Sequence, residues 1–200
     1  MEINYYYNNI KDNEVALVLN SKYNKRYVIN GESVRDYLLS VSNDRKVSKV
    51  LKMLGLDSSI LNKRKNEIDN LEESLLIIAW QLLQNKYLVI YYLDSLLNYK
   101  EKIYLKRIIS KIAHEYNIKT LVFTNDIKFC FNMIDKILII NDKQITAVLS
   151  NDFYNLKIYD YMDMPDIISF VSSNKSKKLE NYTDISELLK GIYRLWQSIC

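Results

Sequence analysis

The sequence has few of the residues that form tight turns, disulfide bridges and metal sites. Its 200 residues include three glycines, one proline, one histidine and two cysteines. Because glycine lets the backbone approach a phosphate group closely, three scattered glycines exclude an ordinary glycine-rich phosphate-binding loop. Cys130 and Cys200 are too few for a disulfide framework, so a reducing cytoplasm is the expected environment.

Long apolar runs and clustered charges are missing as well. No apolar segment approaches the roughly 20 residues that span a bilayer, and the polar N-terminus does not resemble a signal peptide. Any membrane role is therefore expected to go through a partner. The 28 basic residues exceed the 24 acidic ones, for a net charge of +4, and they are scattered along the chain. A nucleic-acid-binding domain would carry a clustered basic face, so nucleic acid is not an expected partner.

What the sequence does have is an apolar content of 48%, which is enough for a folded core. Between residues 66 and 145, apolar strands alternate with amphipathic helices. This pattern is typical of an α/β fold with a buried parallel sheet. The predicted elements are a helix at 73–84, a strand at 87–93, a helix at 100–116, and strands at 119–126 and 135–142.

Shorter elements flank this segment on both sides. Before it, the pattern predicts strands at 3–7, 14–19 and 25–30, a helix that Ser33 caps, and a helix that runs from Asn43 or Asp44 to Gly55. After it, a short helix at 166–172 and a final helix with an apolar stripe are predicted. We therefore predict a main domain at 1–149, with a helical subdomain at about 33–84, and an extension at 150–200. The stripe consists of Ile185, Leu188, Leu189, Ile192, Leu195 and Trp196.

Five stretches of the chain carry a resemblance to a known family. They are VRDYL at 34–38, DRKVSKVLKMLGLDSSILNKR at 44–64, NEIDNLEESLLIIAWQLL at 66–83, LVFTND with MIDKILIIND at 121–142, and MPDIISFV with YTDISELLKGI at 164–192. In this order they resemble an ATP-binding-cassette (ABC) ATPase, and within that superfamily the ATPase subunits of energy-coupling factor (ECF) transporters. The resemblance implies a P-loop-NTPase-like fold with a mostly parallel sheet flanked by helices. It also implies truncation at the N-terminus and a small helical C-terminal extension for contact or dimerisation.

The positions at which this family carries out its chemistry depart from the family pattern. The strand that ends in Asp-Glu in the family, for magnesium and the attacking water, ends here in Tyr92 and Leu93. Asn125 replaces the switch histidine, which contacts the γ-phosphate. The signature loop, where the family has serine and two glycines, has no glycine and carries carboxylates that repel phosphate. Its positions are held by Ile68, Asp69, Asn70, Leu71 and Glu72.

Asp94 is the one carboxylate near the end of that strand. It lies two residues after Tyr92, so it would be a magnesium ligand only if the strand register slides by two. An aspartate at the strand end that caps a loop is the alternative interpretation.

The phosphate-loop position follows the strand predicted at 14–19. Without glycine this segment cannot form the nest of backbone N–H groups that binds phosphate, and Arg26 replaces the usual lysine. A plain β-hairpin turn accounts for the same residues. The phosphate-loop helix and the strand bearing the family's glutamine are expected to be missing. The segment consists of Asn20, Ser21, Lys22, Tyr23, Asn24, Lys25, Arg26 and Tyr27.

The resemblance implies a catalytically impaired ABC-ATPase-like subunit of an ECF-type membrane transporter. It would pair with an intact ATPase as a heterodimer, dock on a membrane component, and lie in the cytoplasm or at the inner face of the cell membrane. No cofactor is expected; ATP and magnesium would bind only if the altered positions still function. Two alternatives stay open, namely a soluble regulatory or scaffold protein that keeps the fold, and an active ATP-binding subunit with displaced ligands.

The missing phosphate-loop helix has a consequence for the sheet. That helix covers one face of the central sheet in the family, so Leu88, Ile90 and residues 121–123 are expected to lose part of their cover and to favour association with a partner.

Overall fold

The computed structural model describes residues 6, 8–20, 29, 32–85, 87–141, 144–150, 152–173, 182 and 184–197. Strands and helices alternate along this part of the chain, and three short 3-10 helices lie at Ser58–Asn62, Lys65–Glu67 and Leu156–Asp160. The strands are β1 (Val15–Asn20), β2 (Tyr87–Tyr91), β3 (Lys119–Phe123), β4 (Lys136–Asn141) and β5 (Gln144–Ser150). The helices are α1 (Val34–Leu39), α2 (Asp44–Met53), α3 (Asn70–Gln84), α4 (Tyr99–Tyr116), α5 (Ile127–Cys130), α6 (Asp166–Ser173) and α7 (Ile185–Gln197).

The strands form one sheet in the order β2-β3-β1-β4-β5. The pairs β2–β3, β3–β1 and β1–β4 are parallel, and β5 runs antiparallel to β4 at the edge. The inner strands are buried over almost their whole length, as expected for a parallel sheet that is covered on both faces. The predicted α/β class with a mostly parallel sheet is therefore confirmed.

The helix boundaries follow the predicted caps closely. The Ser33 side chain accepts a hydrogen bond from the backbone N–H of Asp36 at the start of α1, and Asn43 does the same for Lys46 at the start of α2. Gly55 follows α2 with a φ of 73°, a left-handed conformation that favours glycine. The segment between α2 and α3 contains two of the 3-10 helices.

The strands are shorter than predicted, and some predictions fall outside the described residues. β2 ends at Tyr91 rather than at residue 93, because Tyr92 adopts a φ of 50° and leaves the extended conformation. β3 ends at Phe123 because Asp126 caps the next helix. The predicted strand at 3–7 is not borne out at Tyr6, which is helical, and of the strand at 25–30 only Ile29 is described.

The sheet separates two groups of buried side chains. Along β1, Val15, Leu17 and Leu19 face the larger group, which the helices cover, while Ala16 and Val18 face a smaller one. Tyr6 and Ile10, from the first residues of the chain, belong to the smaller group. The expectation of lost cover was wrong, because the side chains concerned are all buried. These are Leu88, Ile90, Leu121, Val122 and Phe123.

The C-terminal residues pack on the same core as the main sheet. Ile158, Ile168, Val171 and Leu188 are buried within the larger group of side chains. The boundary near Ser150 and the helical subdomain stay predictions, since residues on both sides of Ser150 share one core.

The apolar stripe predicted on α7 is only partly buried. Leu188 is 5% exposed, but Ile185 is 64% and Leu189 is 60% exposed. None of the helices within the described residues is both long enough and apolar enough to cross a membrane.

Candidate functional site at the carboxyl ends of the strands

The carboxyl ends of β2 and β3 bring several of the predicted site residues together. The last residues of the two strands, Tyr91 and Phe123, lie side by side, and the backbone N–H of Tyr92 donates to the carbonyl oxygen of Phe123 at 2.8 Å. The segments that follow, 92–94 and 124–126, therefore lie next to each other. In open α/β sheets this edge is where ligands bind, so these residues form the candidate site.

The side chains of Tyr92 and Leu93 pack against the protein core rather than facing solvent. Tyr92 is half-buried against the smaller group of core side chains, and burial raises the pKa of its phenol. Leu93 is fully buried in the larger group. Neither side chain has the carboxylate with which an acidic residue at this position would bind a metal ion or orient a water molecule.

Asp94 is buried in the turn after β2, with only 3% of its surface exposed. The Thr124 hydroxyl donates to its Oδ2 at 2.7 Å, and the same hydroxyl accepts from the backbone N–H of Asp126 at 2.9 Å. Its Oδ1 has no hydrogen-bond partner among the described residues. Burial raises the pKa of Asp94 above its ordinary value, against the smaller lowering effects of the Thr124 hydrogen bond and of Lys102. The side-chain hydrogen bond of Asp94 thus runs to Thr124 on the adjacent chain segment.

The residues after β3 have separate roles. Asn125, at the position of the switch histidine, is exposed. The Asp126 carboxylate caps α5 by accepting from the backbone N–H of Phe129, and its other oxygen pairs with Lys102 Nζ at 2.6 Å. The Asp126 carboxylate is therefore already bonded on both oxygens.

The segment at the signature position begins α3, and its carboxylates bond their own helix. The Asp69 side chain accepts from the Glu72 N–H at 2.7 Å, and the Glu72 side chain accepts from the Asp69 N–H at 3.1 Å. Lys63 Nζ lies 2.6 Å from Glu72, which raises the pKa of that lysine. Asn70 donates to the carbonyl oxygen of Leu96 at 3.4 Å, and Ile68 is partly buried. A helix N-terminus that is free can bind phosphate, but here the N–H groups of Asp69 and Glu72 already bond carboxylates of the same helix start.

The phosphate-loop position stays a prediction. Asn20 ends β1, where its backbone pairs with Ile140 of β4. Residues 21–28, which include Ser21, Arg26 and Tyr27, lie outside the described residues, so neither the degenerate phosphate loop nor the hairpin turn is tested.

Sequence reasoning missed three interactions near this edge. Two of them are the bond from Thr124 to Asp94 and the ion pair of Lys102 with Asp126. Because each joins different elements, no local sequence pattern reveals them. The spacing of Thr124 and Asp126 around Asn125 is compatible with a capping turn and could have suggested the Asp126 cap. Within the described part of the chain, no group of three or more His, Cys, Asp or Glu side chains could hold a metal ion.

Comparisons with known proteins give matches in structure but not in sequence. No protein-family model matches the chain, and no curated protein sequence does so significantly. The dimeric ATP-binding cassette MJ0796, in a post-hydrolysis state with ADP and Pi, is similar with a TM-score of 0.50 at 15% identity, over 69% of this chain and 63% of that one. An ABC transporter assigned to the metal-chelate type, in an inward-facing conformation, is similar with a TM-score of 0.53 at 12% identity, over 68% of this chain and 58% of that one.

The chain thus spans less than two thirds of the length of either structure. At these identities the likeness concerns the fold. The chain has the fold of ABC ATPase domains.

Proposed function

We propose that this chain is a catalytically impaired ABC-ATPase-like subunit that pairs with an intact ATPase in a membrane transporter of the ECF type. The observation that carries the proposal is the contrast between the fold and its strand ends. The fold is that of ABC ATPases, whereas the side chains of Asp94, Thr124 and Asp126, which follow β2 and β3, bond the protein itself.

The chemistry of phosphoryl transfer supports the impairment. Such reactions depend on a magnesium ion and on groups that position the nucleophile and stabilise the developing charge. Tyr92 and Leu93 supply neither, and the carboxylate of Asp94 is buried and bonded to Thr124. Magnesium keeps several of its waters and is bound through accessible carboxylate oxygens, so a buried carboxyl with a raised pKa is poorly suited to it.

The start of α3 supports impairment of a second kind, namely of contacts with a nucleotide bound to the partner subunit. A signature segment would present backbone N–H groups to the γ-phosphate on the facing subunit. Here the Asp69 and Glu72 carboxylates bond two of the N–H groups of this segment and add negative charge, which opposes a phosphate at this helix end.

The partner is inferred from the resemblance and from the matched structures. One matched structure is a dimeric cassette and the other an ABC transporter in an inward-facing conformation, and residues 164–192 resemble the C-terminal tail of ECF ATPases. In an asymmetric pair, the sites of one subunit can decay while the other composite site still works. The proposed partners are therefore an intact ATPase and a membrane component, reached in the cytoplasm or at the inner face of the membrane.

The experiment is co-expression of this chain with a candidate intact ABC ATPase and an ECF-type membrane protein encoded nearby. We expect the three chains to co-purify, and we expect magnesium-dependent ATP hydrolysis from the complex but not from this chain alone. An ATP titration of the isolated chain should show no binding at physiological concentrations.

Other outcomes favour the alternatives. Turnover by the isolated chain that Asp94→Asn abolishes would indicate an active subunit with displaced ligands. A folded chain that joins neither partner would indicate a regulatory or scaffold protein.

A further inference from the structure

A cleft of about 500 Å³ lies between the main domain and the C-terminal residues. One wall is the face of α4 that carries Lys102, Ile103 and Lys106, and another is formed by α5 and the turn after it. The starts of α6 and α7 close the remaining side through Asp166 and Asp184. This volume is within the range of small-molecule sites in proteins.

The floor of the cleft is apolar and aromatic. Phe129 and Phe131 line it, and both side chains are largely buried. Phe131 is held by an edge-to-face contact with Phe153, whose ring centroid is 4.9 Å away. Together with Ile103 these rings form an apolar surface whose shape the core fixes, so the cleft is suited to an apolar or aromatic body.

The charges around this floor are balanced except at two lysines, Lys106 of α4 and the exposed Lys128 of α5. Lys102 is neutralised by Asp126 at 2.6 Å. Asp184 accepts from the backbone N–H groups of Ser186 and Glu187, so its charge is offset by the positive end of its own helix. Asp166 likewise lies in the first turn of α6.

Lys106, one turn beyond Lys102 on the same face of α4, is the less exposed of these two lysines. Within the described residues it has no ion pair and no hydrogen bond from its side chain, although it is only partly exposed. Burial lowers the pKa of its ammonium group, and the nearby Asp126 offsets this only in part. A cation that is partly removed from water and has no partner favours binding of an anion.

We propose that this cleft binds a small organic carboxylate with an apolar body, whose charged group pairs with Lys106 while the apolar part lies on Phe129, Phe131 and Ile103. The site does not depend on ATP chemistry or on a partner subunit. The proposed carboxylate site can therefore be disproved without disproving the transporter assignment, and the reverse also holds.

The test uses three probes of one shape and different charge, namely 3-phenylpropanoate, its primary amide and 3-phenylpropylamine. Each is titrated into the full chain and followed by NMR chemical shifts. We expect the carboxylate to bind most tightly, with shifts at Phe129, Phe131 and Lys106, and the amine to bind least.

Variants then separate charge from shape. Lys106→Met keeps most of the length of the side chain and removes its charge, so it should weaken carboxylate binding about tenfold or more and leave amide binding unchanged. Lys106→Arg should restore most of the affinity. Lys111→Met, at an exposed position of the same helix, is the matched control and should change nothing.

Three results would overturn the proposal. They are equal binding of all three probes, carboxylate binding that Lys106→Met leaves intact, and no binding of the carboxylate at millimolar concentration. Thermal melting checks that each variant folds, and Lys106→Gln replaces the methionine variant if its melting is not cooperative.

Discussion

A buried carboxyl group at the end of a strand makes the stability of this protein depend on pH. Burial raises the pKa of Asp94 above 3.8, so between that value and its folded-state pKa the folded protein holds a proton that the unfolded chain has lost. The stabilisation from the protonated carboxyl is full below pH ~3.8 and is lost as the pH rises through the folded-state pKa.

Asp94→Asn removes this titration. The amide can still accept the hydrogen bond from Thr124 and carries no charge, so the variant should gain stability relative to the native chain as the pH rises through that window. Urea unfolding at a series of pH values measures the difference. Asp163→Asn, at an exposed position, controls for the loss of one negative charge. Parallel pH profiles for the native chain and Asp94→Asn would contradict the assignment.

Gln81 serves as a substitute for a neighbouring strand at the edge of the sheet. Its buried side-chain amide accepts from the Val89 N–H and donates to the Val89 carbonyl oxygen, both at 2.8 Å. β2 is an edge strand in the described sheet, so these backbone groups face away from β3. The side chain of α3 therefore pairs the outer edge of β2 at this residue.

Gln81→Leu should destabilise the fold, because it leaves the two Val89 groups buried and unpaired. The cost is roughly 1–3 kcal/mol for each unpaired group. Gln84→Leu, at an exposed position of the same helix, is the matched control and should change the free energy of unfolding by less than about 0.5 kcal/mol. Chemical denaturation measures both, and similar values for the two variants would rule out the edge-pairing role.

At the scale of elements, Gly55 sets the distance between α2 and α4. It has a φ of 73°, and a Cβ atom at this position would lie 2.5 Å from Tyr104 Oη of α4. That hydroxyl donates to the carbonyl oxygen of Leu54 at 3.3 Å. Backbone conformation and interhelical packing thus both require glycine here.

Gly55→Ala should cost about 1–2 kcal/mol from the left-handed backbone, and more from displacement of Tyr104. Tyr104→Phe removes the hydroxyl that the new methyl group would meet. The double variant should therefore be less destabilised than the sum of the two single variants. Thermal or chemical unfolding of all four proteins measures this coupling, and strict additivity would show that the helices do not meet through this contact.

At the scale of the whole molecule, periodic segments were predictable and contacts between distant segments were not. The helices from Val34 and Asp44 and the central strands follow from local caps and apolar patterns. β5 was not predicted, because its alternating sequence is short and the strand forms by pairing with β4. The bond between Thr124 and Asp94 spans 30 residues of sequence, so no local pattern could show which way the carboxyl group faces.

The C-terminal helix α7 offers the last test, because it has a buried side and an exposed apolar side. Leu188 is buried in the core, whereas Ile185, Leu189 and Tyr193 are largely exposed. Leu188→Ala should lower the free energy of unfolding by about 2–5 kcal/mol, and Leu189→Ala should change it by less than about 0.5 kcal/mol.

If the exposed side contacts the proposed ATPase partner, Leu189→Glu should weaken co-purification without lowering the melting temperature of the isolated chain. Glu187→Gln, an exposed polar change on the same helix, is the control. Sedimentation of the mixed chains measures association. A buried, unpaired carboxylate in an apolar contact causes a large loss of affinity. If the Leu189→Glu variant binds the partner as tightly as the native chain does, this side of α7 therefore lies outside the interface.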